Sequence, residues 1–353
     1  MICHCIDCTL IEPIAIKNME HIRNFLQELP KTELHLHIEG TLEPEMMMSL
    51  ADRNHIPLPW ATLEEIKSAY SFKNLQSFLD IYYKGITVLQ TEEDFFELTS
   101  AYLQKAANNS IRHTEIFFDP QSHTERGVPY EVVVDGIHAA LMDGEKHLDI
   151  SSGLILCFLR HLPPKSALDI LETALRHKDG IIGVGLDSSE LNFPPMLFHQ
   201  AFEQARSMGL RAVAHAGEEG PPEYIWEALD ILKVDRIDHG VRCLEDPSLV
   251  ERLRLSQIPL TVCPLSNIKL KVFSEMSKHN ILKLSEAGLC ITINSDDPAY
   301  FHGYINENYA AVQKAFNLKA SDLVAYAQQS IRASFASNLR KNTLLDEIKR
   351  LPV

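Results

Sequence analysis

Two histidines separated by a single residue, His35 and His37, lie in a segment of alternating polar and apolar residues, Glu33 to Ile38. Such alternation predicts a β-strand, and in a strand residues two positions apart point to the same face. Both imidazole rings would then converge on one point, while the intervening apolar side chains face the other way. Neutral imidazole nitrogens are common metal ligands, so this pair predicts two ligands of a metal site.

Three later segments also place polar residues directly after an apolar, strand-like run. They are His215-Ala216-Gly217-Glu218, Asp238-His239-Gly240 and Asn294-Ser295-Asp296-Asp297-Pro298. Each has a purely structural interpretation as well. Asp296 and Asp297 could begin a turn or cap a helix, and Glu218 could belong to an acidic first helical turn. Because all of these residues follow predicted strands, a shared site is the stronger hypothesis.

Eight strand-like runs alternate with amphipathic, helix-like stretches along the chain. The predicted strands are Glu33 to Ile38, His113 to Phe118, Ile150 to Leu159, Ile181 to Leu186, Arg211 to His215, Arg236 to His239, Leu260 to Cys263 and Cys290 to Asn294. Repeated alternation of strand and helix favours parallel βαβ units. Eight such units form an α/β fold of the (β/α)8 TIM barrel type, with about 250 residues.

The chain is longer than such a barrel requires, and residues 43–110 account for the additional length. This region separates the first two strands and predicts several helices, including Leu75 to Gln90 and Glu92 to Lys105, as a helical insertion after strand 1. We expect residues 31–353 to form a single (β/α)8 domain, preceded by an N-terminal extension over residues 1–30.

Barrel geometry brings the candidate residues together. The loops at the carboxyl ends of the strands form the catalytic face of such a barrel, and the histidines and aspartates described above fall at those ends. Closure of the barrel brings strand 8 beside strand 1, so Asp296 can meet His35 and His37 despite the long sequence separation. Imidazoles together with one carboxylate suit Zn²⁺, and a further open position could hold water.

Composition excludes several classes of partner. The net charge is −15 at pH 7, so there is no basic field for a nucleic acid or an anionic membrane. No run approaches the roughly 18 apolar residues of a membrane helix, and the N-terminus lacks a secretory signal, so we expect a cytoplasmic protein. Seven cysteines fit free thiols. Cys3, Cys5 and Cys8 could bind a soft metal, but a poorly ordered extension is the favoured interpretation, and Met19 could be the native start.

Together, the motifs H-L-H-x-E-G, H-A-G-E, D-H-G, C-P-L-S-N and S-D-D-P resemble the adenosine/adenine deaminase family of zinc-dependent amidohydrolases. The resemblance extends from about Lys31 to the region after Tyr300. It implies a single zinc ion per chain, a proton donor, a histidine that handles charge or protons, and a purine contact. Carried over by position, the zinc ligands are His35, His37, His215 and Asp296, the proton donor is Glu218, the histidine is His239 and the purine contact is Asp297.

Two departures from the nucleoside branch of the family bear on the substrate. Glu39 stands where nucleoside deaminases carry an aspartate near the ribose, and its longer side chain would crowd the ribose space. Ser188 occupies the place of a glycine whose amide contacts the purine N3, so it is a weaker candidate for substrate binding. The resemblance therefore implies a small purine base as substrate, with adenine hydrolysed to hypoxanthine and ammonia. N6-substituted adenines remain open as further substrates.

Three alternatives follow from the same residues. Adenosine deaminase is the nearest alternative. A two-metal amidohydrolase would need a carboxylated lysine at the end of strand 4, where the chain has Gly185-Leu186-Asp187-Ser188. A non-catalytic purine-binding barrel would be expected to lack a ligand or the acid, whereas all of these positions are filled. The sequence leaves the oligomeric state open.

Overall fold

The computed structural model describes residues 22–177 and 180–351. Its centre is a sheet of eight parallel strands that follow each other in chain order. The strands are β1 (Lys31–Glu33), β2 (Ile111–Phe118), β3 (Ser151–Leu159), β4 (Ile181–Asp187), β5 (Arg211–Ala216), β6 (Arg236–His239), β7 (Leu260–Val262) and β8 (Ile291–Ile293). Backbone hydrogen bonds of 3.1 Å from Asp296 N to the His35 carbonyl and from His37 N to the Asp296 carbonyl close the barrel. The predicted (β/α)8 TIM barrel is therefore confirmed.

Helices surround the sheet and follow nearly every strand. They are α1 (residues 22–28), α2 (Pro44–Asn54), α3 (Leu63–Ala69), α4 (Leu75–Gly85), α5 (Glu92–Asn108), α6 (Pro120–Thr124), α7 (Tyr130–Leu148), α8 (Pro164–His177), α9 (His199–Ser207), α10 (Pro222–Glu227), α11 (Pro247–Ser256), α12 (Pro264–Lys269), α13 (Ile281–Glu286), α14 (Pro298–Phe301), α15 (Ile305–Phe316), α16 (Ala320–Ala333) and α17 (Asn338–Lys349). The helices α2 to α5 lie between β1 and β2, so the predicted insertion is present.

The first strand differs from its predicted range, Glu33 to Ile38. The regular ladder to β2 ends at Glu33, because the N–H of Leu34 donates to the Asn294 side chain instead (2.9 Å). Isolated bridges from Leu36 to Asp296 and from His37 to Phe117 then continue the pairing. The alternation of side chains survives this irregular stretch.

The insertion helix α4 covers the carboxyl end of the barrel. Asn74 caps it by accepting from Ser77 N (3.0 Å), and Ser77 Oγ accepts from Asn74 N in return. Apolar residues spaced three and four apart, Leu75, Phe78, Leu79 and Tyr82, form its buried face. The predicted helix, Leu75 to Gln90, is shorter in the structure because the chain tightens into a 3₁₀ turn at Ile86–Val88.

The amino-terminal end of the barrel is closed by a buried ion pair. Arg236 on β6 donates to Glu115 on β2, and both side chains are inaccessible to solvent. The Arg236 guanidinium lies 4.0 Å from the ring centroid of Phe335, whose backbone N–H also donates to Glu115. Burial alone would raise the pKa of Glu115, but Arg236 and His113 lower it to about 2.

Some predictions fall outside the part of the chain that the structure describes. Cys3, Cys5, Cys8 and Met19 lie in residues 1–21, and the division into an extension and a single barrel domain stays a prediction. Four cysteines within the described residues are free thiols: Cys157, Cys243, Cys263 and Cys290. Within residues 22–177 and 180–351, no helix combines the length and apolar character needed to cross a bilayer.

We predict that Glu115→Gln lowers the free energy of unfolding by about 3–5 kcal/mol, because it leaves the Arg236 charge buried without a counter-ion. Urea denaturation at pH 7 measures the change.

The effect should depend on pH. Because the folded-state pKa of Glu115 is about 2, below its ordinary value of 4.5, the ion pair stabilises the folded protein fully at pH values above 4.5. The difference between wild type and variant should shrink as pH falls from 4.5 towards 2. Glu172→Gln, which removes an exposed pair with Arg176, is the control and should change little. Equal effects of the two substitutions would contradict the role of the buried pair.

Candidate active site

Ring nitrogens and one carboxylate oxygen converge at the carboxyl end of the barrel. His35 Nε2 lies 3.1 Å and His37 Nε2 3.5 Å from Asp296 Oδ1. His215 Nε2, from the end of β5, lies 3.3 Å from His37 Nε2. His239, the last residue of β6, has a ring nitrogen within 4.8 Å of ligand atoms of His35, His215 and Asp296. The structure thus brings together the four predicted metal ligands and the predicted catalytic histidine.

Hydrogen bonds on the far side of two rings set their orientation. His35 Nδ1 lies 3.2 Å from the Thr261 carbonyl and 2.9 Å from its hydroxyl, which in turn donates to Asp238. His215 Nδ1 lies 3.0 Å from the Leu186 carbonyl. Because a carbonyl can only accept, the Nδ1 atom of each neutral ring carries the proton. The Nε2 atoms of His35 and His215 therefore carry lone pairs, and these lone pairs point into the cluster.

These residues fit a divalent metal ion. The His35 Nε2 atom is buried and has no hydrogen-bond partner of acceptable geometry among the described residues. Lone pairs and a carboxylate oxygen that face each other at 3.1–3.5 Å repel unless a cation lies between them. Ligand atoms around a tetrahedral zinc ion with bonds of 2.0–2.1 Å are about 3.3 Å apart, close to these separations. Three imidazoles and one carboxylate are also a donor set that zinc prefers.

Three residues at this end of the barrel have left-handed backbone conformations: Ser188 (φ 71°), His239 (φ 60°) and Asp296 (φ 66°). Each follows or ends a strand, so each turns the chain sharply at the point where its side chain enters the site. Non-glycine residues rarely adopt this conformation, and strained backbone of this kind concentrates at functional sites. The two backbone bonds between Asp296 and the β1 extension hold the carboxylate against the histidines.

Glu218 is a buried carboxyl group beside the cluster. Its Oε1 accepts from Asn267 Nδ2 (3.1 Å), and its Oε2 lies 3.5 Å from His239 Nε2. Burial, followed by the negative charge of Asp296, raises the pKa of Glu218 well above its ordinary value, so this group can hold a proton at neutral pH. Burial likewise lowers the pKa of His239 to about 3, which leaves its ring neutral. A carboxyl group with a raised pKa and a neutral imidazole thus lie side by side.

Glu190 holds the loop that carries Glu218. Its buried carboxylate accepts four consecutive backbone N–H groups, from Gly217 (2.6 Å), Glu218 (3.1 Å), Glu219 (2.8 Å) and Gly220 (2.7 Å). Four amides that converge on one carboxylate form an anion-binding loop whose shape depends on that charge. Glu190 is therefore a positioning residue for the acid.

The cluster opens into a cavity of about 470 Å³, a volume that includes its mouth. One wall is apolar and aromatic and comes largely from α4: Leu75, Phe78, Leu79, Tyr82 and Tyr83. Most of the other lining residues are polar: His37, His215, His239 and Asp296 of the cluster, with Asp119, Asp187, Ser188, Glu190, Glu218 and Asp297. A flat apolar wall facing convergent polar groups suits an aromatic heterocycle.

The three predicted substrate-binding residues have different surroundings. Asp297 lines the cavity, and burial together with Asp296 raises its pKa. Ser188 also lines the cavity, where its hydroxyl bonds to Tyr83 Oη (2.8 Å) and His161 Nδ1 (2.7 Å). Glu39 is fully buried and is not among the residues that line the cavity; it lies behind Asp119, where its Oε1 accepts from His123 Nε2 (2.9 Å) and from the Asp119 backbone N–H (3.1 Å). The contact of each with a substrate stays a prediction.

Sequence reasoning missed four residues of this site. Asp119 and Asp187 follow or end strands β2 and β4, so the strand-end argument that identified Asp296 could have found both. Glu190 lies in a loop and Asn267 on α12, where it ends the C-P-L-S-N motif, but no strand-end signal links either residue to Glu218, and only the folded chain brings them to it.

The sequence model that describes the adenosine deaminase family matches residues 30–351. The chain belongs to this family. It is therefore a hydrolase that acts on carbon–nitrogen bonds. An adenine deaminase of Ectopseudomonas mendocina is 59% identical over 313 residues, which cover 89% of this chain and 99% of the relative.

Solved structures agree with this membership. The crystal structure of an adenine deaminase from Arthrobacter aurescens has a TM-score of 0.90 and 48% identity, and the match covers 91% of this chain and 98% of that one. An amidohydrolase from Burkholderia ambifaria, solved with bound Zn, has a TM-score of 0.84 and 27% identity, with 93% and 92% covered.

We predict that Glu190→Gln lowers the turnover number by at least about tenfold while the bound metal is retained. The glutamine amide would present its own N–H group to the amides of the 217–220 loop and displace Glu218. Steady-state kinetics and metal analysis of the purified variant measure both quantities. Glu223→Gln, an exposed carboxylate on the neighbouring helix α10, is the matched control. An unchanged turnover number, or a loss explained by missing metal, would contradict the positioning role.

Proposed function

We propose that this chain is an adenine deaminase that hydrolyses adenine to hypoxanthine and ammonia. The observation that carries the proposal is the meeting of Glu218, a carboxyl group with a raised pKa, with a histidine–aspartate cluster that fits a metal. Displacement of an amino group from a purine ring needs both a strong nucleophile and an acid. Relatives of high identity over nearly their full length bear the name adenine deaminase, which favours the same substrate here.

The proposed cofactor is one Zn²⁺ per chain, held by His35, His37, His215 and Asp296. A zinc ion held by these residues would lower the pKa of water and so would supply a hydroxide nucleophile at neutral pH. The orientation of His35 and His215 supports this assignment, because their Nδ1 protons are engaged and their Nε2 lone pairs converge.

Glu218 is the proposed proton donor to the purine N1. Attack of hydroxide at C6 breaks the aromaticity of the ring, and protonation of N1 spares the ring a full negative charge. The neutral His239, 3.5 Å from Glu218, is placed to orient the attacking water or take its proton. Asp297 is the proposed partner of N7, with which it can share a proton because its own pKa is raised. The ionised Glu218 or His239 can then pass the C6 hydroxyl proton to the amino nitrogen, so that the C6–N bond breaks with loss of ammonia and the product is the 6-oxopurine.

The free base is the proposed substrate rather than the nucleoside. Glu39 and Ser188 are the residues that differ from the nucleoside branch, and we propose both as contributors to this preference. Adenosine deaminase remains the second candidate function within the same chemistry, and turnover of N6-substituted adenines is compatible with the proposal. A non-catalytic purine-binding barrel is disfavoured because the proposed acid and the proposed ligands lie together at one end of the barrel.

A substrate panel tests the function directly. Purified protein with its zinc content measured should deaminate adenine at least about 100-fold more efficiently, in kcat/KM, than adenosine. Loss of ultraviolet absorbance follows the reaction, and N6-methyladenine in the same panel defines the tolerance at the leaving group. Preference for adenosine would replace the proposal with the second candidate. Two zinc equivalents per chain would contradict the single-metal assignment.

Two substitutions should separate acid catalysis from metal binding. Glu218→Gln should keep zinc but lose roughly 10²–10⁴-fold in kcat, because an amide cannot donate a carboxyl proton. His35→Ala should lose both zinc and activity, because it removes one ligand from the cluster. Elemental analysis and steady-state kinetics on the same preparations measure the two effects. Glu219→Gln, next to the acid in sequence, should change kcat by at most a few-fold. A near-normal turnover number for Glu218→Gln would contradict the assignment of Glu218 as the proton donor.

A further inference from the structure

Asp119 is a buried hydrogen-bond acceptor that the fold leaves without a donor. It directly follows β2, is only 3% exposed and lines the cavity. Its Oδ1 atom has no hydrogen-bond partner among the described residues. Asp119 stands at the amino-terminal cap of α6, yet its side chain makes no capping bond. A structural role in ending the strand or starting the helix therefore does not account for the carboxyl group.

The neighbours of Asp119 are Asp187, which is an acceptor as well, and His37, whose Nδ1 lies 3.5 Å from Asp187 Oδ2. One of its carboxylate oxygens lies within 4.8 Å of Asp187 and of a ring nitrogen of His37. Both Asp187 oxygens also have no hydrogen-bond partner in the described part of the chain. No lysine or arginine forms an ion pair with Asp119 or Asp187 in residues 22–177 and 180–351. Buried polar groups are normally hydrogen-bonded, so this corner of the cavity is built for a donor that arrives with a ligand.

The topology places Asp119 across the site from the acid. Glu218 follows β5 and His239 ends β6, whereas β2 lies on the opposite side of an eight-stranded barrel that runs in chain order. In a purine, N1 and N9 lie at opposite ends of the fused rings. A base whose N1 meets Glu218 thus directs its N9 towards the side of the barrel where Asp119 and Glu39 lie.

We propose that Asp119 is a specificity-determining residue that accepts a hydrogen bond from the imidazole N–H of a free purine base. On the edge of the ring that the metal cluster, Glu218 and Asp297 leave free, N3 is an acceptor and only N9–H is a donor. A nucleoside carries a sugar on N9 and has no hydrogen there, so it would leave the buried carboxyl group without a partner. A site built to bond an N–H group rejects ligands that lack it. This inference rests on the proposed function and adds a residue that enforces it.

The test compares adenine with 9-methyladenine, which carries a methyl group in place of the N9 hydrogen and so cannot donate from N9. Wild-type protein, Asp119→Ala, Asp119→Asn and the control Glu125→Gln are purified with zinc content and melting temperature recorded. Glu125 is exposed and lies just beyond α6, so its substitution removes a nearby charge outside the cavity. The measurements are kcat, KM and the dissociation constants of hypoxanthine and 9-methylhypoxanthine by calorimetry.

We expect Asp119→Ala to lower kcat/KM for adenine by about 10- to 100-fold and to weaken hypoxanthine binding by a similar factor. The kcat/KM for 9-methyladenine and the dissociation constant of 9-methylhypoxanthine should change by less than about threefold. The preference of the variant for the free base over the 9-methyl compound is then largely lost. Asp119→Asn keeps an acceptor oxygen and should fall between wild type and Asp119→Ala. If Asp119→Ala does not fold, a fall in the preference ratio of Asp119→Asn decides the question.

Equal losses for the methylated and unmethylated compounds would overturn the proposal. So would two zinc ions per wild-type chain with only one in Asp119→Ala, because the acidic corner would then be a second metal site. If the wild-type protein deaminates adenine but the variants keep its preference ratio, only the assignment of Asp119 is contradicted. If the wild-type protein has no activity on adenine, the proposed function itself is contradicted.

Discussion

The structure depends on one electrostatic constraint: lone pairs of buried imidazoles and a carboxylate oxygen face each other at the rim of the barrel. His35, His37 and His215 present Nε2 atoms to a common point, and Asp296 adds an oxygen 3.1 Å from the first of them. Such a group is repulsive by itself and cohesive around a cation. The outer bonds of the rings, to Thr261 and Leu186, keep the lone pairs directed inward. The barrel thus maintains an arrangement that only a bound cation makes favourable.

Around this point the environment divides the carboxyl groups into two kinds. The histidines hold the pKa of Asp296 well below its ordinary value despite burial, so it stays an anionic ligand. Glu218 and Asp297 lie in the same buried region without such partners, and burial with the charge of Asp296 raises their pKa values. Groups of the same chemical type therefore differ in charge: Asp296 favours the anionic form, and Glu218 and Asp297 favour the protonated form. Divergent pKa values within one site are the usual way in which a single fold performs acid and base chemistry.

Sequence reasoning reached the fold and most of the site because both depend on short-range periodicity. Alternation placed His35 and His37 on one face, and the rule that barrel sites lie at strand ends joined them to Asp296. The extent of the first strand was wrong, because Asn294 captures the Leu34 amide and no local pattern encodes that contact. The contribution of Glu190 could not be predicted from the sequence either. Its bonds to the 217–220 loop span about thirty residues and exist only after folding.

The insertion after strand 1 connects substrate enclosure to the placement of the acid. Helix α4 supplies the apolar wall of the cavity, and its first residue, Leu75, donates its backbone N–H to Glu219 (3.2 Å). Gln76 on the same helix accepts from Ser189 Oγ (2.7 Å), next to Ser188. The helix that lines the cavity is therefore bonded to both loops that carry polar groups of the site. A base that packs against α4 presses on the same loops that position its hydrogen-bond partners, so binding energy from the apolar wall helps to align the reacting groups.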